Sequence, residues 1–497
     1  MAEALPPLFL ADEAATRRLA EDVAVRLRPG DVVALGGGLG AGKTSFARAL
    51  LRALADDPAL EVPSPTFTLV QPYRLRFPVA HFDLYRLGGP DELDELGFEE
   101  AIDEGAVLVE WPERAADRIP ADALHIVLAL AGSGRRVTFS AGGSWPARLR
   151  RSRAARAFLD RSGFADARRR PLQGDASTRI YERVATEAAK AVLMDAPERK
   201  HGPPLRHGRS YDSLAGRAMD VRPFVAMGEA LRGLGLSAPA RIADDLEAGF
   251  LLVEDLGSTG LLDAEGAPVP ERYAAAIDVL AAIHAERRPV GLPLPDGSVH
   301  ALPHYDREAL LVEVELLPLH YAPHATGAAL PEAAFSAFEA IWTRLAARLA
   351  TAERSWVLRD FHSPNLLWLP EREGLARIGI LDHQDALAGP SAYDVASLAL
   401  DARVDISPEL EAWLVARYVA ARRRLSSGFD ETGFFEAYAI AGAQRNAKVL
   451  GAFARLAAQG RPEYLRHIPR VRGYLTRLFA EPVLAAIAGW HARHLPL

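Results

Sequence analysis

A glycine-rich segment near the start of the chain constrains the fold more than any other part of the sequence. Residues 37–44 read Gly-Gly-Leu-Gly-Ala-Gly-Lys-Thr and fit the pattern G-x-x-x-x-G-K-[ST]. Glycines let backbone N–H groups converge on phosphate oxygens, and a following helix points its positive end at the same anion. The apolar run 31–35 predicts a strand before the segment, and the spacing over 44–55 predicts a helix after it. Strand, glycine-rich loop and helix form the context that a phosphate-binding loop requires.

The segment ends in the two side chains that nucleotide binding needs. The ammonium group of Lys43 would neutralise the β- and γ-phosphates of ATP, and the hydroxyl of Thr44 would bind Mg²⁺. The sequence therefore predicts a site for ATP and Mg²⁺. Its predicted nucleotide-binding residues are Gly37, Gly40, Gly42, Lys43, Thr44 and Ser45.

A second phosphate-handling pattern lies far downstream. Asp360 and Asn365 are spaced as in the D-x-x-x-x-N catalytic loop of kinases, and Asp382 ends an apolar run. In such a loop the first aspartate accepts the proton of an attacking hydroxyl, while the asparagine and the second aspartate hold Mg²⁺. The pattern predicts transfer of a phosphoryl group to an alcohol. The two patterns use different residues, and a chain with both is expected to combine two activities.

Composition narrows the remaining possibilities. Of the 497 residues 49% are hydrophobic and 25% charged, which is typical of globular proteins. The chain has no cysteine, which excludes disulfides and thiolate catalysis and favours the cytoplasm. Its formal net charge of -7 argues against broad electrostatic binding to nucleic acid. No apolar run approaches the roughly 20 residues that span a bilayer, so we expect no contact with a membrane.

An arginine-rich stretch at 148–156 suggests where the chain divides. We interpret this stretch as a solvated basic linker or a helix face rather than as a nucleic-acid site. After it the pattern is first rich in strands and then mostly helical. The predicted domains are 1–147 and 157–497, the second with a strand-rich lobe at about 157–258 and a helix-rich lobe at about 259–497.

Three further stretches follow the glycine-rich loop in order. They are Ser-Pro-Thr-Phe-Thr-Leu-Val at 64–70, His-Phe-Asp-Leu-Tyr-Arg-Leu at 81–87 and Glu-Trp-Pro-Glu at 110–113. With them, residues 8–150 resemble the TsaE (YjeE) family, the ATPase component of the bacterial machinery for threonylcarbamoyladenosine in tRNA. The resemblance implies an α/β P-loop NTPase domain. It also implies partners similar to TsaB and TsaD, and contact with tRNA only through them.

The TsaE resemblance assigns roles to several residues. Asp83 and Glu110 would serve catalysis by giving carboxylates to Mg²⁺ and its waters, and Thr66 would lie in a switch loop near the γ-phosphate. Trp111 is either a switch or interface residue or a packing residue. Gly38 stands where the family usually has aspartate, which leaves the loop pattern intact but removes a polar contact.

The downstream pattern also has characteristic flanks. Residues 155–490 resemble the aminoglycoside phosphotransferase superfamily, and within it the AmgK-like kinases of N-acetylmuramate and N-acetylglucosamine. This resemblance implies an α+β domain with two lobes, similar to protein kinases. The stretches that carry it lie at 174–177, 192–197, 254–257, 358–365, 381–386 and 444–448.

The kinase resemblance also implies how ATP is held. Gly174 and Ser177 would cover the phosphates, and Glu254 and Leu256 would form the adenine hinge. The strand lysine that usually meets the phosphates is missing, because Met194 stands near its place.

Three nearby residues have weaker expectations. Lys190 lies too early in the strand to replace that lysine, and Arg179 is a candidate substitute. His383 replaces an aromatic residue common in the amino-sugar kinases.

The acceptor site is the least determined part of the sequence. Gln444, Arg445 and Lys448 could form one polar helix face that binds the sugar, or they could belong to an exposed amphipathic helix. Asp385 could bind a sugar hydroxyl or cap a turn. Basic residues suit an acceptor with a carboxylate, such as N-acetylmuramate, better than a polycationic aminoglycoside. The alternatives are a kinase of aminoglycosides or other small alcohols, and a regulatory module that only binds nucleotide.

Overall fold

The chain forms two compact units in a computed structural model that describes residues 3–89, 92–115, 118–172 and 179–497. The first unit comprises Met1–Pro197 and Ile242–Asp255, and the second comprises Glu198–Arg241 and Leu256–Leu497. Among the described residues no helix has the length and apolar character to cross a membrane.

Strands are numbered along the chain. They are β1 (Glu3–Leu10), β2 (Val32–Gly36), β3 (Val70–Arg74), β4 (Pro78–Asp83), β5 (Ala106–Glu110), β6 (Leu124–Ala131), β7 (Gly134–Ala141), β8 (Arg168–Pro171), β9 (Ile180–Ala185), β10 (Lys190–Asp195), β11 (Pro204–Arg206), β12 (Arg209–Ser210), β13 (Arg241–Asp245), β14 (Phe250–Val253), β15 (Gly291–Pro293), β16 (Val299–Ala301), β17 (Arg354–Val357), β18 (Leu366–Trp368), β19 (Ile378–Ile380) and β20 (Leu387–Pro390).

Helices are numbered in the same way. They are α1 (Glu13–Ala24), α2 (Lys43–Ala55), α3 (Glu92–Glu95), α4 (Phe98–Glu104), α5 (Trp145–Arg161), α6 (Tyr211–Leu214), α7 (Arg222–Gly233), α8 (Pro270–His284), α9 (Arg307–Val314), α10 (Ala322–Thr326), α11 (Glu332–Leu349), α12 (Ala392–Ala399), α13 (Pro408–Leu425), α14 (Glu431–Ala458), α15 (Ile468–Leu478) and α16 (Ala485–His494).

The first unit contains a seven-stranded sheet in the order β1-β7-β6-β2-β5-β4-β3. Strand β2 runs parallel to β5 and β6, and β4 runs parallel to β5. Every residue of β2 and β5 is buried, as expected for central parallel strands. The glycine-rich loop joins β2 to α2, so the predicted order of strand, loop and helix is confirmed.

The first unit also contains an antiparallel five-stranded sheet in the order β13-β14-β10-β9-β8. The arginine-rich stretch 148–156 lies inside α5, between the two sheets along the chain. Its interpretation as a solvated linker is wrong, because the stretch is helical and three of its arginines are paired with carboxylates. The pairs are Arg148 with Asp31 (Nη2 to Oδ1, 2.6 Å), Arg151 with Asp195 (Nε to Oδ1, 2.7 Å) and Arg156 with Asp22 (Nη2 to Oδ1, 2.8 Å).

The second unit is mostly helical, as the sequence pattern predicts. The long helix α14 is buried along much of its length and packs against α9, α12 and α15. Two short antiparallel sheets, β17 with β20 and β18 with β19, lie among the helices. The loops at the ends of these strands carry the downstream phosphate-handling pattern.

Two buried histidines make the stability of the second unit depend on pH. Burial lowers the pKa of His284 to about 3 and that of His491 to about 4. The unfolded chain, with histidine pKa values of about 6.5, binds protons between pH 6.5 and 4 that the folded chain does not bind. These two histidines should therefore lower the free energy of unfolding as the pH falls through this range, by up to about 3 kcal/mol each.

Urea unfolding at pH 7.5 and pH 5.0 measures this dependence. His284→Gln should weaken the dependence on pH, whereas the same change at the partly exposed His494 should not. An equal dependence on pH in the unaltered chain and in His284→Gln would contradict the expectation.

Candidate active sites

The first site forms where neighbouring strands of the seven-stranded sheet end. Asp83 is the last residue of β4 and Glu110 the last residue of β5, and the two residues are paired in register. Leu35 of β2 pairs with Glu110 from the other side, one residue before the strand ends. Parallel strands bring their carboxyl ends to one edge of the sheet, and the glycine-rich loop leaves β2 at this same edge.

Glu110 connects the metal-binding candidates. The Thr44 hydroxyl donates to Glu110 Oε2 at 2.9 Å, and His81 Nε2 lies 3.0 Å from Glu110 Oε1. Both Glu110 and His81 are buried. The structure therefore brings together the predicted Thr44 and Glu110, and it adds His81, whose role the motif alone did not reveal.

Asp83 organises the loop that carries Thr66. The hydroxyls of Ser64 and Thr66 donate to Asp83 Oδ2 at 2.7 and 3.0 Å, and the Tyr85 backbone N–H donates to Asp83 Oδ1 at 3.1 Å. The carboxylate thus ties the predicted switch loop to the end of β4. A ligand that attracted Asp83 would compete with these hydroxyls and change how the loop is held.

Lys43 faces the loop rather than solvent. Its Nζ atom donates to the carbonyl oxygens of Gly37 at 2.7 Å and Gly38 at 3.0 Å, and it lies 3.6 Å from the centre of the Trp111 ring. Burial lowers the pKa of Lys43, although Glu110 and other carboxylates oppose this shift. The cation–π contact gives Trp111 a role beside the phosphate-binding lysine.

Backbone geometry explains the glycines of the loop. Gly37 has φ +130°, and a Cβ atom there would lie 2.2 Å from the carbonyl oxygen of Leu128. Gly42, just before α2, has φ +106°. Arg135 supports the loop from β7, because its Nε donates to the Ala41 carbonyl at 3.0 Å. Sequence reasoning missed Arg135, since nothing in the chain marks which residue of β7 reaches the loop.

The predicted metal-binding side chains of this site all offer oxygen atoms, which Mg²⁺ prefers. Thr44 offers a hydroxyl, and Asp83 and Glu110 offer carboxylates. In the described part of the chain no group of three or more Asp, Glu, His or Cys residues is placed to hold a metal without other ligands. Magnesium in nucleotide sites usually shares its coordination with phosphates and water, so a complete set of protein ligands is not required.

The second site lies in the helical unit, on the loop between β17 and β18. The Asp394 carboxylate, near the start of α12, accepts the backbone N–H groups of Leu358 at 2.5 Å and Arg359 at 2.9 Å. These two hydrogen bonds hold the start of the loop that carries Asp360. Asp360 itself remains partly exposed.

Asn365 joins the catalytic loop to the end of β19. Its Nδ2 donates to the carbonyl oxygen of Asp360 at 2.9 Å, and its own carbonyl accepts the N–H of Leu381 at 2.9 Å. Asp382 follows directly with φ +53° and accepts Gln384 Nε2 on Oδ1 at 2.7 Å. The three residues of the downstream pattern are therefore adjacent in space and partly exposed.

Glu313, on α9, is the centre of a buried charge network that the sequence did not reveal. Lys448 Nζ lies 2.7 Å from Glu313 Oε1, and Arg359 forms an ion pair with the same oxygen. Gln444 Nε2 and the Tyr305 hydroxyl donate to Glu313 Oε2 at 2.9 and 3.2 Å. Burial alone would raise the pKa of Glu313, but the Arg359 and Lys448 charges outweigh burial and hold the pKa at about 2.

The four acceptor candidates are all buried. Gln444 and Lys448 are 0% and 9% exposed, Arg445 is 4% exposed, and Asp385 is 4% exposed. The alternative of an exposed amphipathic helix is therefore wrong. Gln444 and Lys448 reach Glu313, whereas Asp385 Oδ1 accepts the N–H of Ala218 at 2.8 Å. Gln444 and Lys448 therefore contact the catalytic loop indirectly, through Glu313 and its ion pair with Arg359.

Positive charges keep Asp360 ionised. Burial alone would raise its pKa, but the neighbouring charges of Lys448, His362 and Arg359 outweigh burial and hold the pKa well below the usual range of aspartate. A carboxylate that is ionised at neutral pH can orient an acceptor hydroxyl and take up its proton.

His383 packs like the aromatic residue it replaces. Its ring stacks on Phe224 at 4.4 Å between centres, and its Nε2 lies 3.1 Å from the Phe224 carbonyl oxygen. His383 is fully buried beside Asp382. Histidine therefore keeps a packed ring at this position beside Asp382.

The predicted ATP contacts of the strand-rich part remain predictions. Gly174 and Ser177 lie outside the described residues. Glu254 follows β14 directly and is partly exposed, as is Leu256. In β10, Met194 is buried and Lys190 exposed at the far end of the strand, which fits the expectation that Lys190 lies too early.

Known proteins resemble both parts of the chain. The family described as threonylcarbamoyl adenosine biosynthesis protein TsaE matches residues 10–137, and the phosphotransferase enzyme family matches residues 168–427. The N-acetylmuramate/N-acetylglucosamine kinase of Caulobacter vibrioides is 39% identical over 360 residues, which cover 70% of this chain and 97% of the relative.

Two further relatives support the same division. The kinase of that name from Pseudomonas putida is 32% identical over 321 residues, covering 63% of this chain and 84% of the relative. The tRNA threonylcarbamoyladenosine biosynthesis protein TsaE of Rickettsia typhi is 42% identical over 105 residues, covering 21% of this chain and 72% of the relative. Both resemblances predicted from the sequence, and the two fold classes they imply, are confirmed.

Proposed function

The chain belongs to the TsaE family and to the phosphotransferase enzyme family, and we propose that its two sites use ATP for separate products. The first site would hydrolyse ATP in support of threonylcarbamoyladenosine formation in tRNA. The second would transfer the γ-phosphoryl group to the anomeric hydroxyl of N-acetylmuramate or N-acetylglucosamine. The observation that carries the proposal is that the Thr44 hydroxyl contacts Glu110 in the first unit, whereas Asn365 contacts Asp360 in the second unit.

In the first site, the side chains divide the work between binding and sensing. Lys43 would leave the loop carbonyls for the nucleotide phosphates, while Thr44 and Glu110 would bind Mg²⁺ through their side-chain oxygen atoms. Magnesium bound there would neutralise charge on the phosphates. The hydrogen bond from Thr66 to Asp83 would break when Mg²⁺ or its waters bind the Asp83 carboxylate. The resulting change in the loop would signal the state of the nucleotide to partner subunits such as TsaB and TsaD.

In the second site, catalysis would rest on positioning and charge. Asp360 orients the acceptor hydroxyl and takes its proton as the oxygen attacks the γ-phosphorus, and ADP leaves with the electrons of the broken P–O bond. Asn365 and Asp382 would hold Mg²⁺, which would neutralise charge on the phosphates. The Glu313 network keeps Lys448 and Arg359 fixed beneath Asp360.

An amino sugar is favoured over a polycationic antibiotic by the charges near Asp360. Lys448, Arg359 and Arg217 all act on this carboxylate, and an aminoglycoside would meet repulsion there. Two amino-sugar kinases are among the relatives with which the chain shares at least 30% identity. A purely regulatory second unit is not favoured, because Asp360, Asn365 and Asp382 are all present and adjacent.

A substrate panel tests the second activity. The whole protein is incubated with ATP, Mg²⁺ and, separately, N-acetylmuramate, N-acetylglucosamine and an aminoglycoside, and sugar phosphates are identified by phosphorus NMR. We expect anomeric phosphates from the amino sugars. Transfer to the aminoglycoside alone would overturn the proposal.

Lys43→Ala tests the first activity. Loss of the ammonium group should weaken binding of a fluorescent ATP analogue at this site by roughly 10- to 100-fold, because charge-assisted contacts to phosphate disappear. Lys200→Ala, which removes an exposed lysine, is the matched control. In a reconstituted tRNA modification assay Lys43→Ala should fail to support the reaction, and full support would refute the role.

A further inference from the structure

A short segment of the second unit is fastened to both catalytic loops. Arg359 Nη1 donates to the carbonyl of Ala215 at 2.8 Å, and the N–H of Ala218 donates to Asp385 Oδ1 at 2.8 Å. Between them, Gly216 has φ +63°, and a Cβ atom there would lie 2.8 Å from Pro303 Cβ. Arg217 therefore lies between Ala215, which is bonded to Arg359 of the catalytic loop, and Ala218, which is bonded to Asp385 after β19.

The guanidinium of Arg217 has hydrogen-bonding capacity left for a ligand. Arg217 is partly exposed, and its buried Nε has no hydrogen-bond partner among the described residues. It also forms no ion pair within the part of the chain that the structure describes. The neighbouring cations Arg359 and Lys448, by contrast, both form ion pairs with Glu313.

Arg217 also keeps its charge in this environment. Burial would lower its pKa, and the charge of Arg359 acts in the same direction, but Asp385, Tyr211 and Asp360 oppose them and the pKa is raised. The Arg217 guanidinium, a charged and planar donor group, is thus close enough to Asp360 to lower the pKa of that carboxyl. Such a group suits the two oxygens of a carboxylate, which it can bind in a bidentate manner.

We infer that Arg217 binds the carboxylate of an acid-bearing amino sugar in the acceptor site and makes this site prefer such a sugar to its neutral counterpart. The inference rests on the proposed phosphorylation of amino sugars. N-acetylmuramate carries the carboxylate and N-acetylglucosamine does not, so the two acceptors differ in the group that Arg217 would recognise. The residue is a specificity determinant, since proton removal is left to Asp360.

The ratio of the two acceptors measures this role. Arg217→Met should lower kcat/KM for N-acetylmuramate by roughly 10- to 100-fold, the value of a hydrogen-bonded charge pair, and leave N-acetylglucosamine within about threefold. Arg217→Lys should give a smaller loss in the same direction, because it keeps the charge but not the fork of donors. Arg222→Met, in which a nearby arginine paired with Asp220 is removed, should leave the ratio unchanged.

The outcomes separate this inference from the proposed function. An equal loss on both sugars in Arg217→Met would mean that Arg217 acts on the transferred phosphoryl group, and the inference would be overturned. An unchanged ratio would overturn it as well, while the proposed function would stand. If the unaltered protein phosphorylates neither sugar, the proposed function itself fails. If Arg217→Met does not fold, an unchanged ratio in Arg217→Lys is the contradicting result.

Discussion

Asp360→Asn is expected to lower the rate of sugar phosphorylation by about 10²- to 10⁴-fold, the usual contribution of a positioned general base. Asparagine has nearly the same shape, so the loop held by Asp394 should remain in place. What is lost is the carboxylate that neighbouring positive charges keep ionised. Initial rates of sugar phosphate formation at saturating ATP measure the effect.

The control for this prediction is the first site, which lies on the other unit. Binding of an ATP analogue at the Lys43 site should be unaffected by Asp360→Asn. Asp405→Asn, which changes an exposed aspartate of the same unit, should leave both functions intact. A kinase rate within a few-fold of normal in Asp360→Asn would remove this residue from catalysis, and joint loss of both functions would contradict separate sites.

Arg169→Met should destabilise the first unit by about 3–5 kcal/mol, because it leaves buried carboxylates without their main partner. Arg169 is fully buried, and its Nε and Nη2 donate to the two oxygens of Glu182 at 2.7 and 2.9 Å. Its Nη1 also donates to Asp22 Oδ1 at 2.6 Å. Arg26 joins the same cluster, because its Nη2 donates to Glu182 Oε1 at 3.4 Å and to Asp195 Oδ2 at 2.5 Å. The free energy of unfolding in guanidinium chloride, followed for the whole chain, measures the loss.

This ionic cluster connects the P-loop domain to the five-stranded sheet. Asp22 lies on α1, whereas Arg169 and Glu182 lie on β8 and β9. Arg161→Met is the matched control, because it breaks an exposed pair with Asp245 on the same unit and should cost no more than about 1 kcal/mol. If Arg169→Met costs no more than Arg161→Met, the cluster does not hold these parts together.

The parts of the fold that follow from the sequence are those encoded by neighbouring residues. The glycine-rich loop and the spacing from Asp360 to Asn365 are local patterns, because phosphate and Mg²⁺ chemistry fixes residue types at short separations. The expected roles of Asp83 and Glu110 came from the resemblance to the TsaE family. The strand before the loop was also predictable from its apolar run. In these places local preference and tertiary packing agree.

The rest depends on contacts between distant parts of the chain. The arginines of α5 resemble a solvated run by composition, yet Arg148 meets Asp31 and Arg156 meets Asp22 more than a hundred positions earlier. Glu313 lies in a mostly apolar, buried stretch of α9, and only the packing of α9 against α14 shows its ion pair with Lys448. Arg217 is not part of a recognisable sequence motif. Its position depends on the hydrogen bonds that Ala215 and Ala218 make to distant residues.

The number of nucleotides bound per chain tests the central claim of two ATP sites most directly. Calorimetric titration with Mg²⁺ and a non-hydrolysable ATP analogue should give two sites in the unaltered protein. Lys43→Ala and Asp382→Ala should each leave one site, and the double variant should leave none. A single site in the unaltered protein, or loss of both sites in either single variant, would contradict the account.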